Sequence, residues 1–308
     1  MTALDWLMDS DPAIRWQAMR DLTHEPADVV AAERSRVASR GWGAALLALQ
    51  GADGYWSQDD PGSDWISFRA LLLLRDMGLD PASREARRAV ALVRDNVTWR
   101  APGEPWNGGS LLTGEVEPCI NGRVVAIGSY FGQDVQGVVD LLLGEQMADG
   151  GWNCEQEHGS TRGSFHTTIN VLEGLLEFER SQGGAPEARA SRERGEEYLL
   201  ERRMFRRRST GEVIDPAFTQ FLFPSGYHFD VLRGLDHLRS TGLVPEERLR
   251  GAIDLVTSKR DPGGRWPLEN VHPDETFFDL GEREGKPSRW NTLRAMRVLA
   301  WYENGPRQ

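Results

Sequence analysis

The residues best suited to chemistry in this chain are two cysteines and a histidine. Cys119 and Cys154 are the only cysteines in the sequence, and His166 follows Cys154 closely. Thiolate and imidazole groups are preferred ligands of zinc, and two thiolates, one imidazole and one open position suit a catalytic ion. We therefore predict a Zn²⁺ site formed by Cys119, Cys154 and His166.

Each of these residues also has a simpler interpretation. A free cysteine often behaves as a small buried hydrophobic residue, and a histidine at a helix start often caps or packs. In a reducing compartment, two cysteines are more often free thiols or metal ligands than a disulfide. The placement of Cys119, Cys154 and His166 near one another favours the metal.

A second charged feature is the segment from Arg202 to Arg208, in which five of seven residues are arginine. It could bind an anion such as a pyrophosphate. Such a run is also typical of a solvated helix end, where positive charge is favoured by the helix dipole.

A turn motif recurs along the chain, and such internal repeats define the elements that must position these residues. The pattern Gln-x-x-Asp-Gly-x-Trp occurs at 50–56 and 146–152, and a looser copy occurs at 261–266. Glycine accepts a positive φ without steric penalty, so each segment is predicted to end one helix and turn the chain.

A helical stretch follows each turn and can be aligned on one lead position. The lead residues are Trp16, Trp65, Cys119, His166, His228 and Trp290, separated by 49, 54, 47, 62 and 62 residues. The residue two positions later is small or polar throughout. This spacing suits a helical hairpin in each repeat.

Lead positions on neighbouring helices are expected at the same end of the fold, with helix axes roughly 8–10 Å apart. Cys119 and His166 would then share an ion. His228 is predicted either as a further ligand of that ion or as a general acid–base partner, with Asp230 orienting it or acting as a base. Trp65, Trp290 and Asn291 are predicted to line a substrate cavity. The two tryptophans could instead fill the core, and Asn291 could tie the last helix to the first.

Second helices with apolar residues at i, i+3 and i+4 lie between the lead helices. They are predicted at 27–50 with a break near Gly41, and at 81–95, 134–147, 185–205 and 245–258. The chain is therefore predicted to be all-α: a single domain, 1–308, forming one (α/α)6 toroid of about six helical hairpins. A linear solenoid is the alternative. Glycines 122, 128, 174 and 234 are predicted to allow close helix approach.

The turns at 50–56 and 146–152 resemble those of squalene cyclases. The stretch from Phe165 to Leu175 resembles the histidine-bearing helix of protein prenyltransferase β subunits, and Glu117-Pro118-Cys119 resembles the Asp-x-Cys pair of that family. The resemblance implies the α/α toroid fold of the terpene cyclase and prenyltransferase superfamily, and Glu117, Cys119 and His166 as zinc ligands. Glu117 could instead be a helix-start carboxylate.

The resemblance also has limits. No Asp-x-Asp-Asp sequence occurs, so the protonating acid of squalene cyclases has no equivalent. We expect a zinc-dependent enzyme, of transferase or lyase/cyclase-like type, acting on a hydrophobic, isoprenoid-like small molecule. The alternatives are a toroid that binds a lipid or terpenoid without catalysis and a scaffold with a structural metal.

Composition restricts the partners and the location. A net charge of −11 disfavours binding to nucleic acid, which depends on basic residues that neutralise phosphates. No apolar run reaches the roughly 18 residues that a transmembrane helix needs. The first ten residues lack the features of a secretory signal, so we expect a cytoplasmic protein.

Overall fold

The computed structural model describes residues 1–57, 63–100, 108–272 and 277–305, and nearly all of its regular structure is helical. Strands are restricted, in these ranges, to the two-residue antiparallel pair β1 (Trp266–Pro267) and β2 (Pro287–Ser288). The predicted all-α class is confirmed.

Thirteen α-helices lie in the described ranges. They are α1 (Ala3–Met8), α2 (Pro12–Ala18), α3 (Ala27–Ser35), α4 (Gly41–Ala48), α5 (Ser63–Asp76), α6 (Arg84–Asn96), α7 (Pro118–Tyr130), α8 (Gln136–Gly144), α9 (Phe165–Gln182), α10 (Pro186–Glu201), α11 (Val231–Thr241), α12 (Arg250–Ser258) and α13 (Arg289–Asn304). Each predicted partner helix is present, and the break near Gly41 separates α3 from α4.

Capping residues set the starts of several lead helices. The side chains of Ser164, Asp230 and Ser288 each accept a hydrogen bond from a backbone N–H in the first turn of α9, α11 and α13. Pro118 is the first residue of α7, where a missing N–H costs nothing. Because Asp230 is the cap of α11, His228 precedes the helix, and the expected helical start at His228 is corrected.

The chain divides into two compact units. The terminal unit comprises Met1–Glu33 and Glu196–Gln308, and the middle unit comprises Arg34–Gly195. The expectation of a single domain spanning 1–308 stays a prediction.

Three lead helices pack side by side in the middle unit, in the order α5, α7, α9. The closest approach joins α7 and α9. A methyl group added at Gly174 would lie 2.2 Å from the Gly122 carbonyl oxygen. Glycine at both positions is therefore required by the contact of one backbone with the other, as predicted for these two.

The other two glycines have different neighbours. A methyl group at Gly128 would meet the side chain of Val135, and one at Gly234 would meet Met204 and Phe229. These glycines accommodate side chains rather than a second lead helix.

The two ends of the chain pack together in the terminal unit. Helix α13 contacts α1, α2 and α11. A linear stack of hairpins would keep its first and last helices apart. In the terminal unit the first and last helices are instead neighbours, unlike those of such a stack.

The turn motif has the same hydrogen bonds in its two full copies, and the looser copy at 261–266 shares those of the tryptophan. In the copy at 146–152, the Gln146 amide donates to the carbonyl of Gly150, and the Trp152 indole donates to the carbonyl of Leu142 at 2.7 Å. The Thr168 hydroxyl accepts from the Trp152 backbone N–H at 3.0 Å. Thr168 is the residue two positions after the lead.

This last contact explains why that repeat position is polar. In five repeats, the side chain two positions after the lead accepts a hydrogen bond from a backbone N–H in the segment before the helix. The pairs are Ser67 with Trp56, Asn121 with Glu115, Thr168 with Trp152, Asp230 with Leu222, and Thr292 with Trp266. The sixth repeat has Ala18, which has no such group. The motif therefore fixes each turn to the start of its own lead helix.

In the part of the chain that the structure describes, no helix has both the length and the apolar character required to cross a membrane.

Candidate metal centre

The candidate centre lies in the middle unit, where the start of α7 meets the turn after Trp152. Glu117 is the residue immediately before α7, and Cys119 is the second residue of the helix. Cys154 begins a short 3₁₀ turn, Cys154–Gln156, which the Asn153 side chain caps. An antiparallel bridge between Trp152 and Ser164 closes the loop that carries this turn.

Three potential ligand atoms converge at this point. The Cys119 and Cys154 sulfurs and a Glu117 carboxylate oxygen all lie within 4.8 Å of one another. Cys119 is 8% exposed, and the other two residues are half-buried. Three of the four residues predicted as metal ligands are thus brought together.

The two thiols are not equivalent. The hydrogen bond from the Cys119 thiol to the Cys154 sulfur, together with burial, raises the pKa of Cys119. The same hydrogen bond lowers the pKa of Cys154, and a contact with the Thr167 hydroxyl at 3.4 Å acts in the same direction. Cys154 is therefore the sulfur that holds negative charge more readily.

Hydrogen-bond acceptors outnumber protons in the cluster. The Cys119 thiol also lies 3.5 Å from Glu117 Oε2, so one proton faces both a carboxylate and a sulfur. The nearby positive group is Arg123, whose charge lowers the pKa of Cys119 against the larger effects of the hydrogen bond and burial. A cation placed between the three atoms would satisfy all of them.

A further carboxylate, Glu115, lies beside the cluster. Its Oε1 accepts the Glu117 backbone N–H at 2.8 Å, whereas its buried Oε2 has no hydrogen-bond partner among the described residues. Burial raises the pKa of Glu115 to about 8, with repulsion from Glu117 and Cys154 contributing. Sequence reasoning missed Glu115, although its position two residues before Glu117 was a usable signal.

His166 is not part of the converging group. It is half-buried in the first turn of α9, and its carbonyl accepts from the Asn170 amide at 2.6 Å. The helix explains the difference, because consecutive residues differ by about 100° around the axis. Thr167, rather than His166, therefore presents its side chain to Cys154.

His228 and Asp230 belong to the terminal unit. The His228 ring stacks on the His272 ring at 3.4 Å between centroids. Asp230 is fully buried, accepts the Arg233 backbone N–H at 2.8 Å, and lies 4.0 Å from Arg294. Burial raises the pKa of Asp230 despite that arginine. These contacts are those of a helix cap, and the acid–base role of the pair stays a prediction.

The residues predicted to line a cavity are packed against neighbouring groups. Trp65 belongs to an aromatic cluster with Phe68 and Trp99, at 6.0 and 5.3 Å between ring centroids. Trp290 is 2% exposed and stacks on Phe223 at 4.2 Å.

Asn291 is also fully buried, and its amide donates to the carbonyl of Pro267 at 2.9 Å. Trp290 therefore fills the core, Trp65 is half-buried against its aromatic neighbours, and Asn291 ties α13 to β1. None of the three lines a cavity of about 530 Å³ beside Arg203 or a cavity of about 600 Å³ beside Tyr130.

No protein-family model matches the chain, and no curated protein matches it. Among solved structures, the chain is similar to a protein from Actinoplanes, with 16% identity, a TM-score of 0.46 and coverage of 98% of each chain.

It is also similar to two variants of the type II terpene cyclase MstE from Scytonema. The ligand-free variant has 16% identity, a TM-score of 0.42 and coverage of 94% of this chain and 84% of that one. The other variant, in complex with its substrate geranylgeranyl dihydroxybenzoate, has 15% identity, a TM-score of 0.41 and coverage of 94% and 85%.

Proposed function

We propose that this chain is a zinc-dependent enzyme whose metal is held by Glu117, Cys119 and Cys154. The observation that carries the proposal is the convergence of two sulfurs and one carboxylate oxygen within 4.8 Å. Zinc–sulfur bonds of about 2.3 Å place two sulfurs about 3.8 Å apart in a tetrahedral site. The three atoms therefore need only a small inward adjustment.

The donor set fits zinc in its chemistry as well. Thiolates select zinc over magnesium or calcium, and three protein ligands leave a position open for water or substrate. When bound, the ion supplies Lewis acidity or lowers the pKa of a coordinated thiol or water. His166, at the start of the adjacent helix, lies outside this converging group and stays the predicted fourth ligand.

The protein's own residues prepare this site. Cys154 holds negative charge more readily because Cys119 and Thr167 face its sulfur. The Thr167 hydroxyl fixes the direction of that sulfur, as groups behind a metal ligand commonly do. Glu115 accepts the Glu117 backbone N–H and so holds the loop before α7 in place.

The proposed substrate is a hydrophobic, isoprenoid-like small molecule. This class comes from the resemblance of the 117–119 and 165–175 segments to prenyltransferase β subunits. The alternatives are a lipid- or terpenoid-binding protein without catalysis and a scaffold with a structural metal.

Metal analysis of protein purified without a histidine tag tests the site directly. We expect about one zinc per chain, lost in Cys119→Ser and Cys154→Ser and reduced in Glu117→Gln. Glu187→Gln, which removes an exposed carboxylate from α10, is the matched control and should keep its zinc. Cobalt substitution gives a second measurement, because the thiolate-to-cobalt absorption band should disappear in the cysteine variants. Zinc below about 0.2 equivalents, unchanged by the cysteine substitutions, would overturn the proposal.

Two further measurements separate the enzyme from its alternatives. An apolar ligand that copurifies equally with the wild-type protein and with Cys154→Ser favours simple binding. A chelator that lowers the melting temperature sharply, without altering the turnover of prenyl compounds by the protein, favours a structural metal.

A further inference from the structure

A strongly basic pocket lies in the terminal unit, and the proposed metal chemistry does not use it. This arginine pocket has a volume of about 530 Å³ and is lined by Arg202, Arg203, Arg206, Arg207 and Arg208 together with Glu201, Gly211 and Gly251. Five arginines and one glutamate therefore line a single pocket of a chain whose net charge is −11.

A tight turn at the end of α10 gathers these arginines. Arg203 and Met204 both have a positive φ, 44° and 71°, a conformation that non-glycine residues rarely adopt. Met204 is fully buried, and its methyl group packs against Gly234 of α11. The core thus holds a strained turn whose exposed side chains are arginines, and strain of this kind is frequent at functional sites.

A short hairpin brings the remaining arginines back to the same place. Arg206 pairs with Val213 in an antiparallel bridge, and the Arg207 backbone N–H donates to the Glu212 carbonyl at 2.8 Å. The arginines before and after the turn therefore face one pocket rather than continuing along a helix. A simple solvated helix end, the alternative interpretation of the sequence, would not fold back in this way.

Only part of the positive charge is neutralised within the protein. Arg208 and Arg202 lie 2.8 and 3.7 Å from the Glu201 carboxylate, and Arg202 and Arg206 donate to backbone carbonyls. The side chains of Arg203 and Arg207 are exposed and make no hydrogen bond or ion pair with any described residue. Two guanidinium groups are thus available to a ligand.

We propose that the arginine pocket binds a small phosphate-bearing anion. Guanidinium groups form paired, charge-assisted hydrogen bonds with phosphate oxygens, and several together favour a multiply charged ligand. The volume is within the range of small-molecule sites, roughly 300–1,000 Å³. A nucleic acid is disfavoured because the rest of the chain is acidic.

Calorimetric titration with inorganic diphosphate, and separately with inorganic phosphate, tests this site. The double variant Arg203→Ala/Arg207→Ala should weaken diphosphate binding at least about tenfold, since each lost contact is a hydrogen bond between charged groups. The matched control is Arg84→Ala/Arg88→Ala, which removes two exposed arginines from α6 and should leave binding unchanged. Binding should also weaken as sodium chloride is raised, because exposed charges are screened.

Diphosphate can also bind metal, so the titration is repeated with Cys119→Ser. Unchanged binding there assigns the diphosphate to the arginine pocket and makes the result independent of the proposed zinc. Equal binding by the wild-type protein and by Arg203→Ala/Arg207→Ala would overturn the proposal, as would the absence of binding to wild type. Melting temperatures of the two double variants check that both remain folded.

Discussion

A single polar side chain in each of five repeats joins a turn to the helix that follows it. At Thr168 the hydroxyl accepts the Trp152 backbone N–H and lies 3.4 Å from the Trp152 carbonyl. Both residues are fully buried, so no water replaces a lost partner. The sequence already indicated a small or polar residue at this position. The hydrogen bond itself could not be predicted, because it depends on how the turn folds over the helix.

We predict that Thr168→Val destabilises the protein by about 1–3 kcal/mol, because the Trp152 N–H is left buried and unpaired. Thr168→Ser is the matched control, since it keeps the hydroxyl and loses one methyl group, at a cost of about 1 kcal/mol. Urea unfolding followed by circular dichroism measures both. Equal losses in the two variants would show that the hydroxyl contributes nothing.

The candidate metal ligands show what residue-level reasoning can predict. Cys119 occupies a lead position and Cys154 directly follows the turn at 146–152, and their sulfurs converge as the sequence predicts. His166 was included because its lead position matches that of Cys119. A rotation of about 100° per residue is enough to give the contact to Thr167 instead, and sequence alone does not fix the helix at that precision.

At the scale of whole elements, the contact between α7 and α9 is the feature on which the candidate centre depends. Helix α7 carries Cys119, and α9 carries Thr167, which contacts Cys154. Gly122 and Gly174 allow the two backbones to touch. Glycines in predicted helices pointed to this contact. The sequence alone does not show that Gly122 and Gly174 allow a contact between helices whereas Gly128 and Gly234 accommodate bulky side chains.

We predict that Gly174→Ala is destabilising by more than about 2 kcal/mol, because the new methyl group would meet a carbonyl oxygen that cannot move independently of α7. Gly137→Ala in α8 is the control. Nothing lies within 4 Å of its added methyl group. Alanine there should stabilise the helix by up to about 1 kcal/mol.

Denaturant unfolding of both variants, with zinc content measured alongside, checks the prediction. We expect zinc content to fall in Gly174→Ala and to be unchanged in Gly137→Ala. Stability close to wild type in Gly174→Ala would show that α7 and α9 are not in backbone contact.

On the scale of the molecule, periodicity in the sequence predicted the repeated hairpins and the all-α class. Periodicity did not predict the division into two compact units. It also did not predict the buried ion pairs that join distant segments, because a charged residue on a helix surface carries no information about its partner. In the terminal unit, Arg297 of α13 pairs with Asp236 of α11 and lies 3.3 Å from Asp21, near the start of the chain. This network joins the two ends of the sequence.

The network gives the final prediction, which concerns acid stability. Burial alone would raise the pKa of Asp236, but Arg297 and Arg239 outweigh burial and hold that pKa below its ordinary value of 3.8. The pKa of Asp21 is also lowered, because the attraction of Arg20 and Arg297 outweighs the opposing effect of burial. The stabilisation is therefore complete above pH 3.8 and is lost as the pH falls below that value.

The free energy of unfolding of the wild-type protein, measured in urea between pH 7 and pH 3, should decrease at the acid end. In Asp236→Asn this decrease should be smaller. The same substitution should lower stability at pH 7 by about 3–5 kcal/mol. Asp279→Asn, which breaks an exposed pair with Arg283, is the control and should change stability at pH 7 by less than about 1 kcal/mol. If Asp236→Asn retained the full acid dependence of the wild-type protein, other carboxylates would account for it. Asp21→Asn distinguishes the two halves of the network, because it leaves the Asp236 pair with Arg297 intact and should remove only part of the slope.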